Sequence, residues 1–204
     1  HDALLSEKCE ILNKYQFTEL HYENEAGTDF RVGLVKNHIW EGGSEESGSG
    51  VRFIANMPTE EVFTMPDYRK AEGKVVSSRP LSYRGNLIKD FSLTFHEGKV
   101  VDFDAREGYD ALKQLLDTDE GSKSLGEVAL VPYASPISEM GILFYNTLFD
   151  ENASCHLALG ECYPTTVQDG EKMNEEELHQ IGGNHSINHV EFMIGTKDMK
   201  ITGI

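Results

Sequence analysis

The sequence predicts an α+β fold in which a mixed, largely antiparallel sheet carries a few interspersed helices. Three observations lead there. Segments with period-two alternation outnumber those with helical period, short turns rather than long helices join them, and the regular strand–helix succession of a doubly wound sheet is missing. With 204 residues the chain can bury one sizeable core, so residues 1–204 are expected to form a single domain.

Taken in order, Leu5, Cys9 and Leu12 at i, i+4, i+7 mark a first helix over residues 3–15. The period changes at Phe17. FTELHY and DFRVGLV are rich in aromatic and β-branched residues and flank Ala26, Gly27 and Thr28, so they read as paired strands. The stretch from Gly42 to Gly50, GGSEESGSG, has nothing to bury and reads as a mobile loop. Phe91, Leu93 and Phe95 alternate with polar residues, HEGK supplies a turn, and Val101 and Phe103 alternate again, which predicts a half-buried hairpin. Leu112, Leu115 and Leu116 predict a short helix over 105–117. GEVALVP (126–132) and ILFYNTLF (142–149) read as buried strands, although short apolar runs are also compatible with helix.

Eighteen Lys and Arg against 35 Asp and Glu leave a formal net charge of −17. Such a surface repels phosphates and anionic headgroups, which disfavours nucleic-acid and membrane partners, and it attracts cations. No stretch approaches the ~20 apolar residues of a transmembrane helix, and the first residues given carry neither a basic flank nor an apolar signal core. Three cysteines without a CxxC pair fit reduced thiols in a cytoplasm. Beginning at His1 rather than Met, the sequence reads as a fragment or a processed product.

Candidate chemistry concentrates in the last third. His189 and Glu191 lie two apart in the strand-like NHVEFMIG, so both side chains share a face. They are placed to grip a metal, or to hydrogen-bond each other at a sheet surface. In DENASCHLALG, Asp150 and Glu151 suit a helix N-terminus, as cap and dipole partner, which leaves His156 unexplained. Glu127 opens an apolar segment, where a carboxylate needs a cation to meet it. Glu60 and Glu61 follow Pro58 and suit an exposed turn or a helix capped by Thr59; in an extended segment only one of them would enter a site. Cys155 and Cys162 near His156 lack the fourth ligand and the spacing of a zinc site. Together, three carboxylate positions and two histidines make the oxygen and nitrogen set of hydrolytic two-metal sites, with Zn, Co, Mn or Mg as occupants. Nucleophile-elbow, phosphate-loop and HExxH motifs are absent.

FIANMPTEEVFTMP, LGEVALVPYASPIS, LFYNTLFDENASCHLALGECYP and GGNHSINHVEFMIGT occur in that order and resemble the motifs of the M29 metalloaminopeptidases, the aminopeptidase T/S family, from about Leu12 onward. The resemblance implies a cytoplasmic, homodimeric exopeptidase that removes the N-terminal residue of peptides with two divalent metals. Carried over, the metal ligands would be Glu61, Glu127, His156, His189 and Glu191, with Glu127 the candidate bridge. Tyr163 would sit near the reacting carbonyl, and Glu151 or Glu60 would shuttle a proton. Two departures are visible. Glu191 stands where the family usually has Asp, and family members are roughly twice this length, with an N-terminal domain not present in these residues. Two other readings of the residues exist: a cupin-like barrel holding one metal through His185, His189 and Glu191, and a non-catalytic acidic dimerisation fragment.

Overall fold

A computed structural model describes all residues, His1–Ile204. Helix α1 (Asp2–Tyr15) buries Leu5 fully and packs Cys9 and Leu12 against the core, as its stripe requires. The largest sheet contains β1 (Glu19–Glu23), β2 (Asp29–Leu34), β6 (Pro66–Val76), β7 (Leu81–Tyr83), β8 (Asn86–His96), β9 (Lys99–Glu107) and β13 (Lys200–Gly203). Its order is β13-β1-β2-β6-β8-β7, with β9 also paired to β8. A four-stranded sheet contains β5 (Val62–Thr64), β10 (Leu125–Leu130), β11 (His156–Gly160) and β12 (His189–Met193), in the order β12-β11-β10-β5. The hairpin β3 (Ser44–Glu46) and β4 (Arg52–Ile54) stands apart. Every pairing is antiparallel, so the α+β expectation holds in its antiparallel form. Four short helices complete the fold: α2 (Tyr109–Leu116), α3 (Pro136–Met140), α4 (Thr147–Asp150) and α5 (Glu175–Ile181).

Both large sheets feed one apolar core. Phe30, Phe91 and Phe95 from the larger sheet join Val128, Leu157 and Phe192 from the smaller one, and Leu112, Leu115 and Leu116 of α2 close the same cluster. The β8–β9 hairpin turns at Glu97 and Gly98, both with positive φ, the conformation a two-residue turn of this twist demands. A Cβ at Gly98 would come within 2.0 Å of the Tyr68 carbonyl, so that turn also needs glycine for space.

Several sequence expectations are corrected. The Gly42–Gly50 stretch is not unpaired: Ser44–Glu46 forms β3, and Ser44 donates its backbone N–H (2.7 Å) and its hydroxyl (3.0 Å) to the Asp2 carboxylate. The helix expected from residue 105 starts at Tyr109, because β9 continues to Glu107 and Gly108 takes a left-handed φ of 79°. ILFYNTLF is neither strand nor buried. Its N-terminal part is irregular and its end forms α4, capped by the Asn146 side chain, which accepts from the Leu148 N–H. Asp150 closes that helix rather than opening one, accepting from the N–H groups of Phe144 (2.8 Å) and Asn146 (3.1 Å). The apolar run after it is strand β11. Glu60 and Glu61 lead into β5 and not into a helix.

Candidate metal centre

The small sheet sorts its side chains by alternation. Val62, Val128, Leu157, Leu159, Val190 and Phe192 point into the core. The cross-strand pairs Phe63↔Ala129, Ala129↔His156, Glu127↔Ala158, Ala158↔Glu191 and Gly160↔His189 share the opposite face. Glu61, one residue before β5, falls in step with Phe63. Glu61, Glu127, His156, His189 and Glu191 therefore rise from one face of four adjacent segments. The residues between them on that face are Ala129, Ala158 and Gly160, which leave the space above the sheet empty. A bulge at Gly126 sets Glu127 into this row. A Cβ on Gly126 would lie 2.0 Å from the Glu161 carbonyl oxygen, so the bulge admits only glycine.

The polar atoms converge in two groups. Glu61 Oε2 is 2.9 Å from His156 Nε2, and Glu127 Oε1 is 3.4 Å from the same nitrogen. On the other side Glu191 Oε1 is 3.3 Å and Glu127 Oε2 3.8 Å from His189 Nε2. Glu127 thus turns one oxygen toward each histidine. Ligand atoms of Glu61, Glu127 and His156 all lie within 4.8 Å of one another, and all three residues are buried. Burial opposes charge on His156, but Glu127 and Glu61 outweigh it and hold the imidazole well above its ordinary value. His189 likewise resists burial through Glu191 and Glu127 and is pushed up to about 9. Burial raises Glu127 despite its histidine neighbours.

The residues fit a bound cation. His156 Nε2, His189 Nε2 and Glu61 Oε2 are buried and make no hydrogen bond, close contacts notwithstanding, because the short distances are not aligned as hydrogen bonds. The other ring nitrogens are engaged elsewhere: His189 Nδ1 with the Glu161 carbonyl (2.7 Å), His156 Nδ1 with that of Ser154 (3.2 Å). Such contacts fix the tautomer of the neutral ring, the form in which Nε2 is free to bind metal once its proton is displaced. The support extends outward. Asn184 donates to the carbonyls of Gly121 (2.8 Å) and Gly160 (2.7 Å), and Asp119 accepts from the Ser186 hydroxyl and the Ile187 N–H, both at 2.8 Å. These bonds pin the segment that leads into β12.

A cavity of about 230 Å³ covers the centre, lined by Glu61, Glu127 and Glu191 together with Glu151, Tyr163 and Phe63. Glu151 is buried, and burial followed by the charges of Glu61 and Glu191 pushes its carboxyl up to about 9. Tyr163 is 42% exposed and so is not a core tyrosine; its ring lies 4.5 Å from that of His189. Burial, then Glu127, holds its phenol well above its ordinary value, so it stays an O–H donor. Of the adjacent acids only Glu61 enters the cavity. Glu60 faces the ring of His1 at 3.4 Å, and its N–H donates to Asn152 Oδ1 at 2.7 Å. His185 pairs with Glu161 and Glu175 and lines a different cavity, so His185, His189 and Glu191 do not assemble as one site. Cys155 Sγ is spent on the backbone of Val131, and Cys162 sits in a separate small apolar cluster.

Sequence reasoning missed Glu41. It pairs with Phe63 through two backbone hydrogen bonds (3.0 and 2.9 Å), which sets it on the ligand face, and it lines the same cavity. Its only signal was an acid directly after a buried tryptophan, Trp40.

Comparison with known proteins agrees with this architecture. The chain is 55% identical over 204 residues to aminopeptidase AmpS of Bacillus subtilis (strain 168), covering all of this chain and 50% of that protein. The solved structure of wild-type AmpT from Thermus thermophilus superposes with a TM-score of 0.93 at 43% identity, again over the whole chain and 50% of its own. A 2,5-dihydroxypyridine dioxygenase from Pseudomonas putida KT2440 shares the fold at a TM-score of 0.64 and 16% identity, over 99% of this chain and 56% of its own. Fold alone therefore does not name the chemistry. The chain spans about half the length of the curated relatives it matches. The model of the thermophilic metalloprotease (M29) family matches residues 1–204, and the chain belongs to that family.

Proposed function

We propose that these residues form the metal-binding catalytic part of an aminopeptidase that uses two divalent cations, Zn, Co, Mn or Mg, to release the N-terminal residue of peptides. The observation that carries the two-metal reading is Glu127, whose two oxygens face His156 and His189 separately. Each histidine is then completed by its own carboxylate, Glu61 or Glu191. When bound, two such cations polarise a carbonyl and bring the pKa of an attacking water toward neutrality.

The remaining chemistry belongs to side chains. Glu151, protonatable near neutral pH and facing the cavity, is suited to pass a proton to the leaving amine; Glu60, turned away, is not. Tyr163 supplies an O–H for the oxyanion that develops at the scissile carbonyl. Phe63 and Leu148 give the cavity an apolar wall for the side chain of the first residue. A cytoplasmic location is part of the proposal, supported by three free thiols. No helix is long and apolar enough to cross a membrane. The homodimer is carried on the family resemblance, with exposed Leu4 and Ile11 of α1 as apolar surface for it. Hydrolysis of leucine p-nitroanilide before and after chelation tests the activity: release that stops on chelation and returns with metal is expected, and release indifferent to chelation would refute it.

A further inference from the structure

We propose that the acidic cavity beside the metal centre receives the second and third residues of the peptide, and that it makes Lys and Arg preferred there over Asp and Glu. The inference rests on the aminopeptidase reading. An aminopeptidase keeps one residue on the amino side of the scissile bond, so everything else in the substrate must lie on the other side. The cavity over the metal ligands, about 230 Å³, has room for little beyond that first residue. Glu41, Glu45 and Thr165 form walls both of this cavity and of a second one, of about 660 Å³. The pairing of Glu41 with Phe63 carries the ligand face of the sheet to the boundary between them. A peptide extending from the metal centre across Glu41 enters the larger space.

That space is unbalanced in charge. Glu10, Glu41, Glu45, Glu46, Asp169 and Glu171 line it against a single cation, Lys172, which is already bound to Asp169 at 2.5 Å. None of the five glutamates takes part in an ion pair. Carboxylates gathered in a concavity focus their field on its contents. Two or three of them at roughly 8 Å from a Lys or Arg side chain, in water-like surroundings, amount to about a tenfold preference.

The test compares the tripeptides Leu-Lys-Lys and Leu-Glu-Glu, with leucine p-nitroanilide as reference, on the full-length metal-loaded protein. A kcat/KM about tenfold higher for Leu-Lys-Lys at low salt is expected, shrinking toward parity at about 1 M salt. The double substitution Glu46→Lys with Glu171→Lys should bring the ratio to one or below. A merely structural defect would lower both peptides alike and leave the ratio standing. Equal rates for the two peptides at low salt would overturn the inference, as would a ratio that the double substitution does not move. Failure to release p-nitroaniline would overturn the aminopeptidase reading and this inference with it, whereas release without a Lys preference would overturn only this inference.

Discussion

Glu61 Oε2 stands 2.9 Å from His156 Nε2, and neither atom makes a hydrogen bond. Two such groups, buried side by side in a ring of further carboxylates, need positive charge near them. In the metal-free protein protons supply part of it, with Glu151 pushed up to about 9 by burial and by its acidic neighbours. The sign follows: at pH 7 a proton is bound, and a cation favours the form without it. Zinc addition at pH 7 should therefore release protons, read by calorimetry as a binding enthalpy that varies with the ionisation enthalpy of the buffer. An enthalpy independent of buffer would contradict this.

Small residues keep the ligand face open. Ala158 has Glu127 opposite it on one strand and Glu191 on the other. Ala158→Val would place two methyl groups between the two carboxylates. Metal affinity, measured by competition with a chelator, should fall by at least about tenfold, since metal bonds tolerate only about 0.2 Å. The metal-free protein should lose about 1–3 kcal/mol in chemical denaturation, the usual effect of overpacking. Unchanged affinity would mean that the cations do not sit over this row.

The Tyr163 ring packs tilted against that of His189, centroids 4.5 Å apart, with its phenol kept protonated. Tyr163→Phe keeps the ring and removes the donor. The expected effect is a drop of about 100-fold in kcat with little change in KM or metal content, the size typical of one lost oxyanion donor. A wild-type kcat would remove Tyr163 from the reaction.

Asp119 lies outside the cluster of Glu61, Glu127, His156, His189 and Glu191 and anchors the approach to β12. Burial alone would raise its carboxyl, but the N–H of Ile187, the hydroxyls of Ser122 and Ser186 and the N–H of Ser122 outweigh burial and bring it down to about 2. A depressed carboxylate stabilises the fold above its unfolded pKa, near 4, and loses that contribution as pH falls through about 2. Asp119→Asn should therefore destabilise the protein at pH 7 by about 1 kcal/mol, a value reduced for the partial exposure of the site. The difference from wild type should narrow below pH 4 and vanish only below about pH 2. Urea titrations across that range check it, and a pH-independent difference would contradict it.

Much of the centre was legible because it depends on local period. His189 and Glu191 share a face by strand alternation, and the same rule admits one of Glu60 and Glu61. What could not be read depends on contacts distant in sequence. Glu41 reaches the site only through its bridge to Phe63. β6, with Arg69, Lys70, Glu72 and Lys74 on its polar positions, is rich in residues that also suit helices, so its role at the middle of the large sheet gives no local sign. ILFYNTLF misled in the other direction. Its apolar residues Ile142, Tyr145 and Leu148 are exposed, and the caps at Asn146 and Asp150 decide its shape against the hydrophobic pattern.

The count of metal ions per chain tests the central claim most directly, made by elemental analysis after zinc saturation on the wild type and on His156→Ala and His189→Ala. Two ions are expected in the wild type and one tight ion in each variant, with affinity at the damaged position down by about 100-fold or more, since loss of supporting contacts alone costs 10–100-fold. The fold, read by circular dichroism, should be kept in both variants. One ion in the wild type, or full occupancy in either variant, would contradict the two-cation centre built around Glu127.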